Sequence, residues 1–162
     1  MPHLRASDLM DKFVTTLSPQ TDIHTAMHSL LKKKLSGAPV IDERNRLIGI
    51  LSEKDCLKLV ASAAFERLPE GKVCDYMTTD VVTLTPRSTV YDVVDRFLRS
   101  SFRRLPVVDE NEEFLGVVSR SSVVKAVAAM RDRAELYRTP SSLPPQEVGA
   151  GVDSAMRRAR GR

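Results

Sequence analysis

The chain has 162 residues, 42% hydrophobic and 28% charged, enough to bury a core without disulfide or metal staples. An aromatic content of 5% with no Trp argues against stacking platforms for single-stranded nucleic acid, and no apolar run approaches the roughly 20 residues of a membrane span. The net charge of +4 is uneven, because residues 131–162 hold seven Arg against four acids and leave the body nearly neutral. The start, Met1-Pro2-His3-Leu4-Arg5, lacks the apolar stretch of a secretory signal, so a cytoplasmic protein is expected. Cys56 and Cys74 lack metal or redox spacing and read as reduced structural thiols.

An internal repeat organises the chain. Offsetting the sequence by 67 residues aligns Asp8 with Asp75, Met10 with Met77, Pro39 with Pro106, Gly49 with Gly116 and Ser52 with Ser119 without a gap. Two copies of so long a unit point to duplicated half-domains rather than a solenoid. In chain order, residues 13–17 and their copy 81–84 predict short strands, each stopped by Ser18-Pro19 or Thr85-Pro86. Ile23, Ala26, Met27, Leu30 and Leu31 then fall on one helical face, and Val90, Val93, Val94, Phe97 and Leu98 repeat that stripe. A hairpin follows in each half, residues 38–41 with 47–51 and residues 105–108 with 114–118. A second helix is expected over about 53–65 and 120–137. The fold class is therefore α/β, two tandem β-α-β-β-α repeats over 5–68 and 72–130 packed pseudo-symmetrically. Residues 131–162 form the trailing helix end and a basic, flexible tail.

These segments resemble the cystathionine-β-synthase (CBS) domain, which occurs in tandem and pairs into a Bateman module. The residues that carry the resemblance are Ala6-Ser7-Asp8-Leu9-Met10, Ser36-Gly37-Ala38-Pro39-Val40-Ile41-Asp42 and Gly49-Ile50-Leu51-Ser52-Glu53-Lys54-Asp55. The second copy supplies Val73-Cys74-Asp75-Tyr76-Met77, Arg103-Arg104-Leu105-Pro106-Val107-Val108-Asp109 and Gly116-Val117-Val118-Ser119. The resemblance implies a regulatory module, not an enzyme, that needs no cofactor and takes an adenine nucleotide (AMP, ADP or ATP) between its repeats. It implies that Asp55 accepts from the ribose hydroxyls, that Ser52 lies near the phosphates at a helix start, and that Arg103 and Arg104 hold phosphate oxygens. Ile50, Val81 and Val82 would line the adenine slot. The physics fits those roles: helix N-termini and Arg forks favour anions. The second site departs from the pattern. Val14 and Ser119 remain, but Ser122 replaces the acid and Ser36-Gly37 replaces the basic pair, so this site is expected to be weak, with Lys34 partly restoring charge.

Other readings of the same residues stay open. Ser52-x-x-Asp55 is also a helix capping sequence, and a ligand-free dimerisation or interaction scaffold is the alternative to a sensor. Gly49 and Gly116 inside strands mark close approach either of the partner repeat or of a purine. His24 and His28 have an i, i+4 spacing without a third ligand, so no metal is expected. No nucleophile, Walker or paired-carboxylate pattern is evident. A homodimer and an unidentified client are expected, and no nucleic-acid partner despite the Arg-rich end.

Overall fold

The computed structural model describes residues 3–62 and 70–136. The elements run α1 (Ala6–Leu9), α2 (Ile23–Lys32), β1 (Gly37–Ile41), β2 (Leu47–Ser52), α3 (Glu53–Ser62), α4 (Val73–Tyr76), α5 (Val90–Arg99), β3 (Arg104–Val108), β4 (Phe114–Ser119) and α6 (Arg120–Leu136). Both repeats lie in one compact unit, Met1–Ala128. Residues from Ala129 on form a second unit, of which α6 as far as Leu136 is described. The expected helix ends at Phe65 and Tyr137, and the basic tail, fall outside the described residues.

The two stripes form the expected helices. Asp22 caps α2 by accepting from the Thr25 N–H at 3.0 Å, and Thr89 caps α5 by accepting from the Asp92 N–H at 3.2 Å. These contacts hold the Asp22 carboxyl below its ordinary value, chiefly through the Thr25 backbone N–H. The Asp92 carboxyl is lowered likewise, chiefly by the Thr89 hydroxyl. Both hairpins are antiparallel, with Pro39 opposite Ile50 and Pro106 opposite Val117, and both registers slip where the turn begins, at Val40/Ile41 and Val107/Val108. Asn45 and Glu112, equivalent at the repeat offset, turn the hairpins with φ of 61° and 62°.

The expected strands over 13–17 and 81–84 shrink to single parallel bridges, Leu17 to Val40 and Leu84 to Val107. Leu17 and Leu84 alone of these segments are buried, at 6% and 1% exposure. Residues 13–16 offer no apolar alternation, and Phe13 stands 96% exposed, so one side chain anchors the segment and the ladder stops there.

Two short helices that the periodicity did not announce interlock the halves. The first core contains Leu17, Ile23, Leu30, Val40, Leu51 and Leu59 together with Val73 from α4. The second contains Leu84, Val90, Val93, Leu105 and Val118 together with Ala6 and Leu9 from α1. Each repeat therefore lends its opening segment to the other repeat's core. Backbone pairing follows the exchange: Ile50 and Thr78 exchange hydrogen bonds at 2.9 and 2.8 Å, and Val117 and Asp11 both at 2.9 Å. The turns join as well, Phe114 N–H donating to the Asn45 carbonyl at 2.8 Å.

The exchange explains the strand glycines. A Cβ on Gly49 would lie 2.7 Å from the Met77 sulfur and 2.9 Å from the Thr78 carbonyl oxygen, and one on Gly116 would lie 2.6 Å from the Asp11 carbonyl oxygen. The room at both positions is filled by the exchanged segments.

Candidate functional site

Strand β2 ends at Ser52 and α3 starts at Glu53, so the side chains of this junction are set by helix capping. Ser52 Oγ accepts from the Asp55 N–H at 3.2 Å, while Asp55 Oδ2 accepts from the Ser52 N–H at 2.9 Å and from Ser52 Oγ at 2.8 Å. This is a reciprocal capping box with Asp in the third helical position. The other carboxylate oxygen, Oδ1, accepts from Thr78 Oγ1 at 3.1 Å and lies 3.5 Å from the Lys58 ammonium. Asp55 is 4% exposed, which such a carboxylate tolerates because each oxygen has partners. Thr78 came from no sequence signal. It reaches Asp55 only because the second repeat's opening segment pairs with Ile50.

The second repeat builds the same junction without charge. Ser122 Oγ accepts from the Ser119 N–H at 3.1 Å and donates to the Ser119 carbonyl at 2.8 Å, and Ser119 Oγ accepts from the Ser122 N–H at 3.0 Å. Ser119 and Ser122 thus close on one another.

Between the repeats lies a cleft of about 620 Å³, within the range of small-molecule sites. It brings together Ile50, Ser52, Arg103 and Arg104 of the residues singled out from sequence. Val14, Ser36 and Gly37, expected at the second site, line this same cleft, whose apolar wall also includes Leu35, Pro39, Phe102 and Val117, and neither Val81 nor Val82 lines it. Val82 packs against the second core instead. Asp55 does not line the cleft, although its neighbours Ser52, Glu53 and Lys54 do. Lys33 reaches the cleft, with Nζ donating to Thr15 Oγ1 at 3.0 Å, whereas Lys34, expected to restore charge at the second site, turns the chain after α2 with φ 54° and does not line this cleft. Lys54 lines it too. Both lysines sit on exposed helical or near-helical positions, which in a sequence read as ordinary solvated charge.

The electrostatics of the cleft are cationic. Lys33, Lys54, Arg103 and Arg104 face only Asp11 and Glu53, and Asp11 Oδ1 is already engaged by the Phe13 N–H at 2.9 Å. Among the described residues Lys54, Arg103 and Arg104 form no ion pair. Cys56, next to Asp55, has its thiol pushed up, first by burial and then by the Asp55 charge. It is a protonated core group rather than a nucleophile. Among the described residues no group of three or more His, Cys, Asp or Glu is placed to hold a metal, and no helix is long and apolar enough to cross a membrane.

This arrangement has known counterparts. The profile of the CBS domain matches residues 6–62 and 73–129. An uncharacterized 17.7 kDa protein of Acidianus ambivalens is 30% identical over 91% of this chain and 85% of its own. An uncharacterized protein of Methanocaldococcus jannaschii is 32% identical over 75% of this chain; the match spans only 42% of that relative's length. Among solved structures, CBSX2 of Arabidopsis thaliana in complex with AMP superposes with a TM-score of 0.70 at 28% identity, covering 79% of this chain and 98% of that one.

Proposed function

Because the chain belongs to the CBS domain family as a tandem pair, we propose that it is a regulatory module that binds an adenine nucleotide in the cleft between its repeats and transmits occupancy to a partner. The observation that carries this reading is the convergence of Arg103, Arg104 and Ser52 on one cleft, where neither arginine forms an ion pair among the described residues. Unpaired like charges held together repel one another until an anion arrives, and planar Arg forks suit phosphate oxygens. The AMP complex of CBSX2, a structure 28% identical to this chain, supports adenosine as the rest of the ligand.

In this reading Arg103 and Arg104 hold the phosphate, Ser52 and the start of α3 sit beside it, and Ile50 and Val14 supply apolar wall. Asp55 is the ribose acceptor in the ligated state, exchanging its Thr78 contact for the diol. The Ser119–Ser122 junction, without a carboxylate, binds no ribose strongly. Calorimetric titration with AMP, ADP and ATP tests the reading. One saturable site per chain, lost in Arg103→Gln/Arg104→Gln, is expected; no heat and no thermal stabilisation with any of the three would end it.

A second reading is favoured by two observations. Asp55 is fully engaged as a cap and inter-repeat tie, and α2, α3 and α5 expose Leu31, Leu57, Val60, Tyr91 and Leu98 at 58–81%. A dimerisation scaffold accounts for both. The helical faces also serve the regulatory reading, in which the protein is a homodimer that buries them. Sedimentation of the full chain at micromolar concentration as a dimer is expected.

A further inference from the structure

The four cations of the cleft are placed by a pattern that the repeat does not explain. At the repeat offset, Lys33 corresponds to Ser100, Lys54 to Ser121, Arg103 to Ser36 and Arg104 to Gly37. Each half thus contributes two cations at positions where the other half has Ser or Gly. The two unrelated pairs nevertheless meet in the same cleft. The Thr15 hydroxyl fixes the Lys33 ammonium at the wall, and Lys54 stands in the first turn of α3, one residue beyond Glu53. Two Arg forks can saturate the oxygens of a single phosphate. That leaves two ammonium groups, which bind as point charges rather than forks; with Asp11 and Glu53 counted, the four cations of the cleft exceed its carboxylates by two.

We propose that the cleft takes a ligand with at least two linked phosphates, and that Lys33 and Lys54 select it over the monophosphate. The inference rests on the nucleotide reading above for the identity of the ligand's other half. A phosphomonoester carries roughly −1.5 to −2 near neutral pH, and each further phosphate adds charge and oxygens within reach of the lysines. An uncharged nucleoside or a cationic sulfonium ligand would leave the cleft's excess of cations unmet.

The test is calorimetric titration of the full chain with ATP, ADP, AMP and inorganic tripolyphosphate, at two salt concentrations, on the wild type and on Lys54→Gln and Lys33→Gln. Both lysines are exposed, so the variants keep the fold, as circular dichroism would verify. ATP or ADP should bind at least about tenfold more tightly than AMP, the size expected of one added charge-assisted contact. Each substitution should shrink that ratio several-fold, and added salt should shrink it too. Equal affinities for AMP and ATP in the wild type, or a ratio unmoved by either substitution, would overturn the proposal while leaving the nucleotide reading intact. Tripolyphosphate binding that Lys54→Gln weakens, without binding of any nucleotide, would sustain the polyphosphate subsite and overturn the nucleotide reading. Binding of none of these probes would overturn both.

Discussion

Thr78 Oγ1 donates to Asp55 Oδ1 at 3.1 Å, a bond between residues of different repeats that ties the second repeat's opening segment to the cap of α3. Replacing Thr78 by Val removes the donor and leaves Oδ1 with Lys58 alone. Stability should fall by about 1–3 kcal/mol, the loss of a hydrogen bond to a buried charged group, as read from urea denaturation. If Asp55 takes ribose on ligation, Thr78→Val should also bind AMP more tightly than the wild type, since the contact to be exchanged is gone. Unchanged or weaker AMP binding in the folded variant would count against that exchange.

The strand glycines give a second prediction. Gly116→Ala should destabilise by about 1–3 kcal/mol through overpacking, because its nearest obstacle, the Asp11 carbonyl at 2.6 Å, is backbone. Gly49→Ala meets the flexible Met77 sulfur first and backbone, the Thr78 carbonyl, only at 2.9 Å, and should cost less. Denaturation midpoints of the two variants check the order.

Exchange of the opening segments predicts where damage is felt. Val73→Ala should cost about 0.5–3 kcal/mol and raise amide exchange in α2 and β1, because Val73 sits in the first core. Leu9→Ala should cost about 2–5 kcal/mol and raise exchange in α5 and β3, whose core it shares. Exchange rising instead in each variant's own sequence repeat would contradict the interlock.

Acid should weaken the fold through its caps. Asp22, Asp42 and Asp92 all have carboxyls lowered from 3.8. Asp42 is lowered chiefly by the Arg46 backbone N–H. A lowered folded value means that the unfolded chain binds the proton first, so their stabilisation is complete above the unfolded value and is lost as pH falls through the folded one. Thermal unfolding should therefore shift little from pH 7 to 5 and drop below about pH 4. Asp92→Asn should make that drop shallower.

Much of the architecture was legible in the sequence because it is periodic. The Ile23–Leu31 and Val90–Leu98 stripes, the paired hairpins and the 67-residue offset each repeat a local pattern. The interlock was not, since α1 and α4 are four residues each, too short to show a period, and their partners lie far along the chain. The strands at 13–17 and 81–84 failed for a related reason: a single anchored Leu leaves no alternation to extend a ladder. At the cleft, Ser52, Ile50, Arg103 and Arg104 were legible through motifs. Lys33 and Lys54 were not, because a lysine on a helix surface looks like solvated charge until the opposite repeat is brought against it. Val14 was singled out from its motif, but for the second site; that it lines this cleft, where Val81 and Val82 do not, depends on how the two repeats close together.

The most direct test of the account is an amide chemical-shift titration of the isotope-labelled protein with AMP and ATP. The account predicts saturable shifts centred on Val14, Ile50, Ser52–Lys54 and Arg103–Arg104, with Thr78 moving as Asp55 exchanges partners, and smaller changes at Ser119 and Ser122. Shifts absent at these amides at millimolar nucleotide, or confined to residues away from the cleft, would contradict it.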